Sequence, residues 1–183
     1  MAFNVDQFRA QLTGDGARPN LFQVSLLLPN FVTNSTAAGQ KLTFMCNASS
    51  LPESTIGVTP AYYFGREVKL AGNRTYADWS IQVINDEDFL IRNAMEQWHS
   101  TINGPIGNQR QNTVQSVDNG YGVNATVIQY SKEGNPIKQY SFVGMWPTTL
   151  SAIDLNWQSN DQLEEFNVTF AYQYYIPSGI PTL

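Results

Sequence analysis

Apolar and polar side chains alternate with a period of two along most of this chain. Phe22, Val24, Leu26 and Leu28 form one alternating set, and Leu42, Phe44, Cys46 and Ala48 form a second. Val68 and Leu70 alternate with Glu67 and Lys69, while Trp79, Ile81 and Val83 alternate with Ser80 and Gln82 in a strand expected over 77–83. This period belongs to half-buried β-strands. Residues 123–130 and 137–143 flank Lys132-Glu133-Gly134-Asn135-Pro136, a hairpin turn by composition. Ile153, Leu155 and Trp157 precede a second turn at Ser159-Asn160-Asp161. Phe166, Val168, Phe170, Tyr172 and Tyr174 then share one face of a final strand.

One segment keeps the helical period instead. Ile91, Ala94, Met95, Trp98 and Ile102 fall at the i, i+3, i+4, i+7, i+11 spacing of a single buried stripe. Gly72-Asn73 upstream is a turn signal. Asn85 is placed as an N-cap, and Asp86, Glu87 and Asp88 stand where a helix N-terminus favours negative charge. A helix is therefore expected from Asp86 to about Ile102, with an Asp88–Arg92 pair and a stop at Asn103-Gly104-Pro105. About eight strands with one packed helix predict a mainly β fold, a β-sandwich or small barrel. A single domain over residues 1–183 accommodates it. Trp79, Trp98, Trp146 and Trp157 are the core candidates.

Three stretches lack a strong period: an N-terminal arm over 1–18, a loop over 50–65, and the segment 104–122. A tail over 176–183 is expected to be irregular, because Pro177 and Pro181 suit neither a helix nor a central strand. The arm and the first loop carry Phe3, Phe8, Ile56, Val58, Tyr62, Tyr63 and Phe64. Apolar groups so placed either fold back onto their own domain or mark contacts with another subunit.

Composition sharpens this picture. The net charge is −5, and charged residues make up only 14% of the chain, against about 25% for an ordinary soluble domain. Seventeen Asn and fourteen Gln supply polarity instead, which makes the surface cheaper to bury against a copy of itself. From Gln139 to Leu183 there is no cation, yet Asp154, Asp161, Glu164 and Glu165 contribute four of the five excess negative charges. An acidic balance argues against a groove that grips nucleic-acid phosphates. The start of the chain does not read as a secretory leader, and no stretch has the apolar length of a membrane helix. Five N-x-S/T triplets, several inside expected strands, read as coincidences of an Asn-, Ser- and Thr-rich composition.

Chemistry is hard to place on these residues. His99 is the sole histidine, which rules out a metal site built from several imidazoles. Cys46, the sole cysteine, lies in phase with an apolar face and reads as a buried inert thiol rather than a nucleophile served by His99. Asp86, Glu87 and Asp88 lack the spacing of a calcium loop. The glycines form no phosphate-cradling motif, and the aromatics have no basic cluster beside them for stacking on bases. The residues imply no catalytic group, cofactor or metal. On these grounds alone, a self-assembling protein and a monomeric β-barrel for a small apolar ligand both remain open.

A set of short motifs decides between them. AGNRTYADWSIQVINDED at 71–88, together with Ala-Arg-Pro-Asn-Leu-Phe-Gln-Val at 17–24, resembles the tail tube proteins of contractile-tailed bacteriophages. Leu51-Pro52, Met145-Trp146-Pro147-Thr148, Leu155-Asn156-Trp157 with Ser159-Asn160, and Phe166-Asn167-Val168-Thr169 follow in matching order. The resemblance spans Ala17 to Tyr174 and extends to type VI secretion tube proteins. It implies six-membered rings stacked into an inner tail tube, with neighbouring strands joined edge to edge around the lumen. It further implies a virion location after assembly in the host cytoplasm. Sheath, baseplate and terminator proteins are the implied partners, and DNA passes through without specific binding. On this reading Phe3, Phe8, Ile56, Val58, Tyr62 and Tyr63 lie at subunit interfaces, and Asp154, Asp161, Glu164 and Glu165 are candidates for an acidic lumen. An apparently enlarged hairpin loop at 29–40, a divergent 104–122 and an extended tail depart from the pattern. They keep a baseplate tube initiator or a type VI tube open as alternatives.

Overall fold

The computed structural model describes residues 4–110 and 120–179. In chain order the first elements are α1 (Val5–Gln11), β1 (Phe22–Leu26), α2 (Ser35–Met45), β2 (Cys46–Ser49), β3 (Ser54–Tyr63) and β4 (Arg66–Tyr76). They are followed by β5 (Trp79–Ile84), α3 (Leu90–Ile102), β6 (Val123–Tyr130), β7 (Pro136–Leu150), β8 (Glu165–Ala171) and β9 (Tyr174–Pro177). The fold is mainly β, as the alternation predicts.

Two antiparallel sheets share one long strand. β1, β6, the first part of β7 and β9 form one sheet, with Phe22 opposite Gln129, Val127 opposite Tyr140, and Phe142 opposite Tyr175. β2, β5, β8 and the end of β7 form the other, with Ile81 opposite Val168 and Trp146 opposite Ala171. β7 changes sheets beside Gly144, whose φ of +62° is a backbone conformation glycine adopts without steric cost. The path of paired strands ends at β1 on one side and β2 on the other, so the sheets form a sandwich and not a closed barrel.

Alternating inward residues fill the space between the sheets. Trp79, Ile81 and Val83 from β5 meet Phe166, Val168 and Phe170 from β8, with Val24, Val127 and Phe142 from the facing sheet. α3 covers this core with the expected stripe: Ile91, Ala94, Met95 and Trp98 are buried, and Ile102 is partly so. The Trp98 indole N–H donates to the Tyr121 carbonyl at 2.8 Å, satisfying its one polar atom inside the core.

The structure corrects several boundaries. The alternation of Leu42, Phe44, Cys46 and Ala48 does not make one strand, because residues 35–45 are helical and only 46–49 extend. Ala38, Gly39 and Leu42 form the buried helical stripe, whereas Phe44 faces solvent. Gly39 lets α2 lie against β1: an added Cβ there would sit 2.8 Å from the Leu26 carbonyl oxygen. The supposed enlarged loop at 29–40 therefore contains the start of this second core helix.

α3 begins at Leu90 rather than Asp86. Asp88 accepts from the Leu90 N–H at 3.0 Å, and Phe89 caps the helix in the left-handed region at φ +51°. Asn85 is not a cap; its amide donates to Glu164 at 2.8 Å. Arg92 pairs with Glu96 at 2.7 Å, while Asp88 joins Asp86 around the Lys41 ammonium at 2.5 and 2.7 Å. Gly72-Asn73 is a bulge inside β4, not a turn. β7 runs on to Leu150 through Pro147, which a register shift against β8 accommodates. Ile176 and Pro177 pair with β7 in β9, so the tail is extended there; residues 180–183 lie outside the described residues.

The four tryptophans separate. Trp79 and Trp98 are core residues. Trp146 is half-buried, packed edge-on against Tyr121 with ring centres 5.8 Å apart. Trp157 is fully exposed at 100%, because residues 151–164 form an irregular segment instead of a strand.

Candidate assembly surfaces

The 50–65 stretch is no irregular loop: residues 54–76 form a two-stranded ribbon, β3 against β4. Phe64 and Gly65 make its two-residue turn with φ of +47° and +79°, both in the left-handed half of the map that a type I′ hairpin requires. A bulky Phe in that conformation is sterically unfavourable and uncommon. Here it stands 92% exposed, with the Tyr63 ring edge-on at 4.6 Å.

The ribbon pairs with itself alone, and every residue from 55 to 71 is exposed. Tyr62 and Val58 share one face with Glu67 and Ala71, while Tyr63, Leu70 and Val68 share the other with Arg66. Both faces are therefore partly apolar. An isolated two-stranded hairpin is at best marginally stable in water. At roughly 3.4 Å per residue its ten-residue β3 reaches about 34 Å.

Only the base of the ribbon is anchored. Tyr76 packs against Tyr172 and Tyr175 at 5.9 and 5.5 Å, and the Tyr175 hydroxyl donates to Ser54 Oγ at 3.1 Å. The Trp79 indole N–H donates to the Ser50 carbonyl at 2.8 Å, holding the approach to β3. At the bulge, Gly57 faces Gly72 and Asn73. A Cβ at Gly72 would fall 3.0 Å from the Gly57 carbonyl oxygen, so a side chain there would push the facing backbone back by a few tenths of an ångström.

The N-terminal arm is likewise uncovered. Asn4 caps α1 by accepting from the Asp6 and Gln7 N–H groups at 3.1 and 3.3 Å. Val5, Phe8 and Leu12 form an exposed apolar stripe, and no residue of α1 is buried. Phe3 lies outside the described residues.

The acidic residues lie in and beside the irregular segment. Asp154 and Asp161 are exposed on it, and Glu164 and Glu165 lead into β8. Glu164 accepts from the Asn85 amide, and Glu165 accepts from the amides of Asn47 and Gln82 at 2.6 and 2.5 Å. These partners are neutral, so the negative charge is held in place without being compensated. Leu155, Trp157 and Leu163 lie exposed among these carboxylates. Their apolar character resembles a strand in sequence; the density of Asn, Ser and Asp around them is the signal that it is not one.

Among the described residues two buried polar atoms elsewhere, His99 Nε2 and the Tyr172 hydroxyl, have no hydrogen-bond partner. Burial pushes the Cys46 thiol up to about 12, which leaves it protonated and unreactive at neutral pH. Burial also lowers the His99 pKa, against a hydrogen bond to the Pro147 backbone that raises it. Among the described residues no cluster of His, Cys, Asp and Glu could hold a metal. A cleft of about 630 Å³ lies beside β1 and α2, lined by Leu26, Phe31, Gly39 and Val123. It opens at the surface and is not an enclosed cavity between the sheets.

The chain matches the family described as phage tail tube protein over residues 17–178. It is 33% identical to the tail tube protein gp19 of Enterobacteria phage T4 over 171 residues, covering 93% of this chain and 97% of that one. A tail tube protein of Serratia phage KSP90 is 22% identical over 92% of this chain and 93% of that one. Among solved structures, a sheath–tube complex of an extracellular contractile injection system in the extended state superposes with a TM-score of 0.60 at 12% identity. That match covers 98% of this chain and 100% of the other. The terminating cap of the anti-feeding prophage tube gives a TM-score of 0.64, also at 12% identity, over 97% and 99% of the two chains.

Proposed function

The chain belongs to the phage tail tube protein family, and from that premise we propose that it forms six-membered rings stacked into the inner tube of a contractile virion tail. The observation that carries this reading is the β3–β4 ribbon, partly apolar on both faces and covered on neither. A subunit keeps such a ribbon at low cost only if neighbours cover it. Contacts of this kind are heterologous: they close a ring in one direction and extend without limit in the other.

The strand edges fit the same picture. β1 and β2 each end the path of paired strands, and in the ring they pair with the neighbours' edges around the lumen. The exposed stripe of α1 is buried between successive rings. Sheath, baseplate and terminator proteins meet the outer wall and the two ends, and the genome passes through without being gripped. An acidic protein holds phosphate poorly, which suits a conduit. No catalytic role is assigned, because the relatives are structural tube proteins.

Identity of 33% along nearly the whole of a tail tube protein favours the tube itself over an initiator or cap, whose likeness here is one of fold. Negative-stain electron microscopy across a concentration series tests the proposal. Six-fold rings and hollow tubes are expected, and a uniform monomer at every concentration would overturn it.

A further inference from the structure

Two surfaces of the subunit match each other in charge and apolarity, yet neither is satisfied within it. The β3–β4 ribbon carries Arg66, Lys69 and Arg74 against the single carboxylate Glu67, and among the described residues none of the four has an ion-pair partner. The segment 151–165 carries Asp154, Asp161, Glu164 and Glu165 with no Lys, Arg or His. Glu164 and Glu165 meet only neutral amides, Asp154 and Asp161 are exposed, and the nearby Arg92 is held by Glu96 and the Ser151 carbonyl. The ribbon presents Tyr62, Tyr63 and Leu70, and the segment presents Leu155, Trp157 and Leu163. No hydrogen bond or ion pair joins the two surfaces inside the described molecule.

We propose that the cationic β3–β4 ribbon of one copy docks on the acidic 151–165 segment of the next. The inference rests on the tube reading and names the contact that would extend it. Donor and acceptor surfaces lie on different parts of one chain, which makes the contact head-to-tail and therefore repeatable. It joins apolar groups that water otherwise surrounds and sets opposite charges at the margins, where they fix register and speed encounter. It also moves the four carboxylates from a lumen wall to a subunit contact.

Charge reversal on each side, separately and together, tests the pairing. The chains compared are wild type, Arg66→Glu with Lys69→Glu, Asp154→Lys with Asp161→Lys, and the protein carrying all four changes. All four changed positions are exposed, and circular dichroism verifies the fold. Each pair alone is expected to raise the concentration needed for assembly about tenfold or more at low salt. The fourfold variant is expected to recover most of that loss. Trp157 emission, taken as the difference from a Trp157→Phe protein, is expected to shift to the blue on assembly.

A wild type that never forms rings or tubes overturns the tube reading and the contact with it. Normal wild-type tubes with unchanged assembly in both reversed pairs overturn the contact alone. The same holds if the fourfold variant recovers nothing, or if Trp157 stays in water within assembled tubes.

Discussion

The Trp79 indole stacks on the Phe142 ring with centres 4.5 Å apart and planes 28° from parallel. The first residue belongs to β5 and the second to β7, so this one contact bridges the two sheets of the sandwich. Trp79 also lies 5.8 Å from Phe170 and holds the Ser50 carbonyl. Trp79→Ala is expected to destabilise the subunit by about 3–5 kcal/mol, read by urea unfolding. Trp157→Ala should leave monomer stability within about 0.5 kcal/mol of wild type, because the indole touches solvent on every side.

Lys41 gives the subunit a pH signature at both extremes. Its hydrogen bonds to Asp86 and Asp88 raise the Lys41 pKa and lower both carboxyl values. The unfolded carboxylates take up protons near 3.8 while the folded ones remain ionised. Stability from this cluster is therefore present above that value and lost as pH falls through the depressed folded values. At the other end it is present below 10.5 and lost as pH rises through the raised lysine value. Lys41→Met should flatten both flanks of the stability–pH profile measured by denaturant titration.

Gly72→Val separates folding from assembly. Its Cβ would crowd the Gly57 carbonyl oxygen at 3.0 Å and the Thr59 hydroxyl at 3.1 Å, and the added methyls are expected to open the bulge and shift the ribbon's path. The sandwich core lies elsewhere and should unfold at nearly the wild-type temperature. Tube formation is expected to fail, as seen by electron microscopy; normal tubes would show that the ribbon's path is immaterial.

Tyr62→Asp and Phe64→Gly probe the ribbon's surface. Charge at Tyr62, on an exposed face, should leave the monomer folded and stop polymerisation. Normal polymerisation of Tyr62→Asp would show that this face of the ribbon lies outside the subunit contacts. Phe64→Gly removes a left-handed non-glycine residue, a conformation that costs of order 1 kcal/mol or more, and so should stabilise the monomer slightly while weakening assembly. Sedimentation velocity reads the second effect and thermal unfolding the first.

Most of the sandwich is legible in the chain because its strands bury one face. Trp79, Ile81 and Val83, or Phe166, Val168 and Phe170, announce themselves by strict alternation, and α3 by its 3.6-residue stripe. Val68 and Leu70 mark part of β4 in the same way, but the ribbon as a whole, and β3 above all, eludes that logic. With neither face inside the subunit, its apolar residues fall on both sides and the period blurs. α2 is misread for a related reason: Leu42, Phe44 and Cys46 mimic alternation, while the small Ala38 and Gly39 that seat the helix on β1 leave no strong apolar signal. Trp157 shows the limit from the other side, since an aromatic in phase with apolar neighbours reads as core although it stands fully exposed on irregular backbone. The arm, the ribbon and the acidic segment were recognisable as candidates; their match in charge needed the observation that amides, not cations, hold Glu164 and Glu165.

Because β7 begins in one sheet and ends in the other, the two layers are spliced by covalent backbone. A pull applied at the β1 edge and resisted at the β2 edge runs along a peptide chain where it crosses between layers. Shearing the layers past one another would require breaking the strand pairing of β7 itself. The subunit is thus a tension-bearing link between its two free sheet edges, held together by backbone and not by side-chain packing alone.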